Sequence, residues 1–171
     1  YIISRFFLGK FCGKIYKSSL VKKCSFLKNV THEDNYFSLK VFNDASKIGS
    51  INYPVYNRRI REDNTSIMQN LNLNNFVDLN YNFNKFIDEQ KTLNINYSLF
   101  ILRKLINYQY KNLNEEERKE STKITGKTLN KIKLKTNSTI VKKSVNCYYN
   151  FYLFLVKKYF WISRGLKNEE K

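Results

Sequence analysis

A single histidine, His32, serves the whole 171-residue chain, and it stands in the run His32-Glu33-Asp34. An imidazole beside two carboxylates can bind a metal or move a proton, so catalysis would begin there. One His excludes multi-His zinc sites and most His-based triads. The run reads better as the polar N-terminus of a helix led by Phe37, because acids suit the positive end of a helix dipole. Asp88-Glu89 likewise reads as helix-end surface. Cys12, Cys24 and Cys147 are odd in number and widely spaced, with no C-x-x-C pair, which suits a reduced compartment. Gly-rich phosphate loops, H-E-x-x-H pairs and calcium-loop ligand series are absent from the sequence. The expectation is a protein that is not an enzyme, with no catalytic residue, metal, cofactor or small-molecule substrate.

Ammonium groups are what the chain has in quantity. It carries 31 Lys+Arg against 14 Asp+Glu, a formal net charge of +17. The excess is segregated. Tyr1 to His32 holds seven basic residues and no acid, and Ser121 to Asn168 holds eleven and no acid. Between them, Glu33 to Glu120 balances twelve against twelve. Two carboxylate-free stretches repel themselves unless a polyanion neutralises them, and nucleic acid is the usual one. The residues expected to contact RNA phosphates are Lys10, Lys14, Lys17, Lys22 and Lys23 in the first stretch. In the second they are Lys123, Lys127, Lys131, Lys133, Lys135, Lys142 and Lys143. Contacts of this kind position a protein on RNA without reading its sequence.

These side chains need elements to hold them. Hydrophobic residues make up 42% and aromatics 16% of the chain, enough for a core. Five Gly and one Pro favour helices over turn-dense β folds. The abundant Asn, with Lys, Ile, Tyr and Phe, has A/T-rich codons, so Asn runs are read as genome composition. The expected fold is mainly α, with basic N- and C-terminal arms around a helical centre. Lys131, Lys133 and Lys135 alternate with Ile132 and Leu134, and Thr136-Asn137-Ser138 could turn the chain. That predicts a short basic β-hairpin or extended arm near 131–143, with a helix as the alternative. Asn114-Glu115-Glu116-Glu117 predicts a capped, short helix before it.

The ends carry their own signals. Tyr1 to Asn29 is basic, acid-free and mixes Phe, Leu and Ile with Lys and Ser, the composition of a mitochondrial or plastid presequence or of a retained RNA-contacting arm. Val145 to Ser163 is aromatic-rich, but its uninterrupted core, Phe151 to Val156, is far short of a membrane span. As a helix it would align Tyr148, Tyr152, Leu155, Tyr159 and Ile162, broadened by Phe151, Phe154 and Trp161. Packing into the domain or against a partner protein, stacking on RNA bases and lying in a membrane interface are all open to it.

In the centre, Phe37, Val41, Ala45 and Ile48 fall at helical spacing up to Gly49 or Ser50. Asn52-Tyr53-Pro54 then opens a second helix through Val55 and Ile60. The pattern recurs 44 residues later, where Ile95-Asn96-Tyr97-Ser98-Leu99-Phe100 aligns with Ile51-Asn52-Tyr53-Pro54-Val55-Tyr56. There Phe76, Leu79, Phe83 and Phe86 form one stripe, and Leu99, Leu102, Leu105 and Ile106 another, predicting tandem helical hairpins. The segment Phe37–Ile60, with its Ala45-Ser46-Lys47-Ile48-Gly49 helix end and Asn52-Tyr53-Pro54 start, resembles heptatricopeptide- or octatricopeptide-type repeats. That resemblance implies a helical-hairpin architecture and an organellar RNA setting, and carries over no base-reading residue. The second unit lacks the Gly and Ala at matching places.

The organisation expected is a basic arm or targeting segment over 1–32, a helical-hairpin domain over 33–120, a basic arm or hairpin over 121–144, and an aromatic helix and tail over 145–171. In general character the chain resembles protist mitochondrial ribosomal proteins. The function expected is structural: rRNA binding within a mitochondrial (or plastid) ribosome, with rRNA and neighbouring ribosomal proteins as partners and no membrane contact. The alternatives are an accessory subunit of a mitochondrial membrane complex and a small organellar RNA-processing factor.

Overall fold

The computed structural model of the protein describes residues 11–49, 51, 53, 56–57 and 71–169, with side chains as far as Tyr159. Within them lie six helices and no strand: α1 (Ser18–Val21), α2 (Glu33–Asp44), α3 (Leu73–Glu89), α4 (Ile95–Asn112), α5 (Glu115–Leu134) and α6 (Thr139–Glu169). The chain is mainly α.

Helix α3 begins at a capping box. The Asn72 side chain accepts from the Asn75 backbone N–H, and the Asn75 side chain accepts from the Asn72 N–H. Phe76, Leu79, Phe83, Phe86 and Ile87 then fall on one face and are all buried. Full burial of such side chains stabilises by about 1.5–3 kcal/mol each. The helix stops at Gln90, whose backbone is extended. Helix α4 answers with Ile101, Leu102, Leu105 and Ile106, each 0% exposed. Its cap is Asn94, whose side chain accepts from the Asn96 N–H, so the helix opens a little before the Asn96 expected.

Helices α3, α4 and α5 pack on one another, α2 lies against α3, and α6 lies along α4. The α3–α4 hairpin is thus the centre of the bundle, with Leu129 and Ile132 of α5 and Val145 and Tyr149 of α6 closing the core around it.

Three expectations are corrected. Residues 131–143 form no β-hairpin: α5 runs on to Leu134, a short turn follows, and α6 starts at Thr139. In a strand Ile132 and Leu134 would share a face. Here Ile132 is 0% exposed and Leu134 is 82% exposed, because Ile132 continues the helical row of Thr125, Thr128 and Leu129. The Asn114 helix is accordingly 20 residues long rather than short, and it passes unbroken through residue 120, where the acids stop. Helix α2 ends at Asp44, not Gly49: Ala45 is extended and Ile48 is exposed, since the core surface that holds Phe37, Leu39 and Val41 does not reach them. The helix expected over Asn52–Ile60 lies largely outside the described residues.

From Phe11 onward, the described part of the N-terminal basic segment is held by aromatic contacts. Phe11, Tyr16 and Phe26 gather around Phe37, with Phe26 stacked on it at 4.4 Å and the rings of Phe11 and Tyr16 meeting it edge-on. Burial pushes the Tyr16 hydroxyl up to about 12.

Candidate nucleic-acid interface

The turn between α5 and α6 is held by one of its own hydroxyls and by a backbone bond from Leu93, in the link between α3 and α4. The Thr136 hydroxyl donates to the Ile132 carbonyl at 2.8 Å, and the Leu93 N–H donates to the Lys135 carbonyl at 2.9 Å. Fixed in this way, the end of α5 and the start of α6 bring Lys133, Lys142 and Lys143 around one open groove of about 380 Å3, completed by Thr139, Asn146 and Cys147. No carboxylate lines it. Lys123 and Lys127 are exposed further up α5, about 15 and 9 Å from Lys133 along the axis at the usual helical rise. Their position on the solvent face follows from the opposite side of the helix packing Ser121, Thr125 and Thr128 into the core.

The other expected lysines are distributed differently. Lys131 pairs with Asp88 at 2.9 Å. Lys135 donates to the Asp88 and Gln90 carbonyls at 3.2 and 2.7 Å, completing the C-terminus of α3, where a cation suits the dipole. These two serve the fold. Lys14 is partly buried beside the Phe37 aromatic cluster, and burial lowers its pKa, against the raising influence of Asp34. Lys17, Lys22 and Lys23 are exposed around α1. Lys10 lies outside the described residues.

Helix α6 turns a different face inward from the one its aromatic residues suggested. Val145 and Tyr149 are buried and Tyr152, Leu153 and Val156 pack against the core. Tyr152 also donates to Asn107 Oδ1 on α4 at 2.9 Å. Phe151, Phe154, Leu155 and Tyr159 are exposed, so the expected stripe of Tyr148, Tyr152, Leu155 and Tyr159 is not one buried surface. Ile162 and Trp161 lie outside the described side chains. The physical reason is the fit to α4, which takes residues spaced 145, 149, 152, 153 and 156. Among the described residues no helix is long and apolar enough to cross a membrane.

His32 is the N-cap residue of α2 in the left-handed conformation, with φ 62°, and its ring meets Tyr108 edge-on at 5.7 Å. Burial lowers its pKa, partly opposed by Glu33 and Asp78. Burial likewise raises the pKa of Asp34, and Glu33 adds to the rise. Among the described residues no group of His, Cys, Asp and Glu side chains could hold a metal ion. Asp88 and Glu89 lie exposed at the end of α3, as expected, and also tie helices together through Lys131, Lys40 and Tyr36.

Compared with family models, curated proteins and solved structures, the chain matches none.

Proposed function

We propose that the protein binds RNA without catalysing a reaction, as a structural component of a mitochondrial ribosome. The observation that carries this reading is the carboxylate-free groove where Lys133, Lys142 and Lys143 meet. Three lysines lining one groove without an acid among them suit a phosphate backbone, and neutralising phosphates releases counterions from RNA. The exposed Lys123 and Lys127 add two further cations on α5. The presequence-like composition of Tyr1–Asn29 supports an organellar address. The α3–α4 hairpin supports an origin in tandem helical-hairpin RNA-binding repeats, with the basic stretches at either end serving as rRNA contacts.

A second reading, an accessory subunit of a mitochondrial membrane complex, is favoured by the rings of Phe151, Phe154 and Tyr159 left exposed on α6. Fractionation of organelle lysates separates the two. Co-sedimentation with a ribosomal particle, released by RNase or high salt, is the expected result. Release by detergent alone would discard the ribosomal reading in favour of the membrane complex. Sedimentation with RNA outside any ribosomal particle would point instead to a free RNA-processing factor.

A further inference from the structure

We propose that the outward face of α6 is a stacking platform for unpaired RNA bases. This rests on the RNA-binding reading above and adds to it a preference for single strands over duplex.

Lys143, Cys147, Phe151, Phe154 and Lys158 follow one another at spacings of four, four, three and four residues, so they run in one line along the helix. The line is about 22 Å long at the usual helical rise. All five residues are exposed, Phe151 by 59% and Phe154 by 60%. The line starts in the three-lysine groove, through Lys143 and Cys147, and ends at Lys157-Lys158. Two exposed phenylalanines therefore lie, along the helix, between the lysines of the groove and Lys157-Lys158.

The charge around the rings selects the occupant. No acid occurs from Ser121 to Asn168, and a second copy would set one +17 chain against another. A helix lying in a lipid surface keeps its lysines on the face opposite its aromatic residues. Here Lys143 and Lys158 share the line of the phenylalanines, so the helix lacks that division of faces. Single-stranded RNA needs the arrangement seen: cations that follow the backbone, with rings between them whose faces accept bases irrespective of sequence. A duplex keeps its base faces covered and can use only the lysines.

The test measures affinity for a short single-stranded RNA and for its perfect duplex, using the full chain and the variant F151L/F154L. Leucine keeps the apolar bulk and removes the ring faces, and both positions are exposed, so unfolding curves serve as the control for folding. The wild type is expected to prefer the single strand. The variant is expected to keep its duplex affinity and to bind the single strand about tenfold more weakly for each ring lost. F151W/F154W, which restores ring faces, is expected to keep the preference. Single-strand binding by F151L/F154L equal to wild type, with duplex binding intact, overturns the platform and leaves the lysine groove standing. Failure of the wild type to bind either RNA at low salt overturns both.

Discussion

The Tyr36 hydroxyl donates to Glu89 Oε1 at 2.7 Å, and the other oxygen of the same carboxylate pairs with Lys40 Nζ at 2.8 Å. One side chain in the last turn of α3 thus holds two successive turns of α2. A carboxylate at a helix C-terminus is unfavourable to the dipole, and these two donors offset that cost. Burial pushes the Glu89 pKa up, but Lys40 and Tyr36 outweigh it and bring it below its ordinary 4.5. Tyr36→Phe is expected to lower stability by about 1–2 kcal/mol in chemical denaturation. Since the folded-state pKa lies below the unfolded one, the contribution of Glu89 is present above pH 4.5 and is lost as pH falls through the lower, folded value. Glu89→Gln is expected to remove that part of the acid sensitivity. An unchanged denaturation midpoint in Tyr36→Phe would show that the clamp contributes nothing.

A second link joins α4 to α5 in the core. Gln109 Nε2 donates to Thr125 Oγ1 at 2.6 Å, and the Thr125 hydroxyl donates onward to the Ser121 carbonyl at 2.9 Å. Gln109 is 1% exposed and Thr125 0%, so water cannot replace a lost partner. Thr125→Val is expected to cost about 1–3 kcal/mol, because it strands a buried amide. Adding Gln109→Met, which withdraws the amide as well, is expected to recover much of the loss. A double-mutant cycle by urea denaturation measures the coupling, and simple additivity of the two losses would contradict the pairing.

The helical character, the α3 and α4 stripes and the Asn114 cap are all legible in the sequence, because apolar spacing and caps act over a few residues. The α5 Lys-Ile-Lys-Leu-Lys run is not. Alternation over five residues fits a strand as well as a helix, and only Thr125, Thr128 and Leu129 upstream decide between them. The Asn-rich composition also hides structure. Thr128 donates to Asn80 Oδ1 at 2.7 Å and accepts from Asn84 Nδ2 at 3.1 Å, joining α5 to α3 through residues that look like codon bias. For the interface, sequence identifies the lysines, but it does not separate Lys131 and Lys135, which hold α3, from Lys133 between them. That division depends on where the end of α3 lies, which is a long-range property. The inward face of α6 was hidden for the same reason, since its aromatic residues outnumber the places α4 offers.

His32 gives the fold a sensitivity to mild acid. Its Nε2 is buried without a hydrogen-bond partner. Burial, the leading influence, holds the pKa below 6.5. The unfolded chain therefore binds a proton more readily, so this contribution to stability is complete above pH 6.5 and is lost as pH falls through the folded value. Asp34, its pKa raised chiefly by burial, acts with the opposite sign and gains as pH falls. Thermal unfolding of wild type and His32→Gln across this window separates them: the variant is expected to lose the drop attributable to the imidazole. The backbone offers an independent check. At φ 62° a Cβ is strained, so His32→Gly is expected to be more stable than His32→Ala by about 1 kcal/mol. Equal stability of the two would contradict the left-handed conformation.

The lysines of the second basic stretch divide into two groups whose variants should behave in opposite ways. K133Q/K142Q/K143Q removes the cations around the groove, and none of the three takes part in an ion pair between described residues. Its thermal midpoint is expected to stay at the wild-type value. The slope of log affinity for RNA against log salt is expected to fall by about 2 for a single strand, as three phosphate contacts are lost. K131Q/K135Q removes the Asp88 pair and the donors to the last carbonyls of α3. That variant is expected to lose about 1 kcal/mol of stability while leaving the salt slope close to wild type. The two measurements cross-check each other, because an unfolded triple variant could lose affinity without any phosphate contact. A salt slope that drops in K131Q/K135Q and holds in K133Q/K142Q/K143Q would move the interface off the groove altogether.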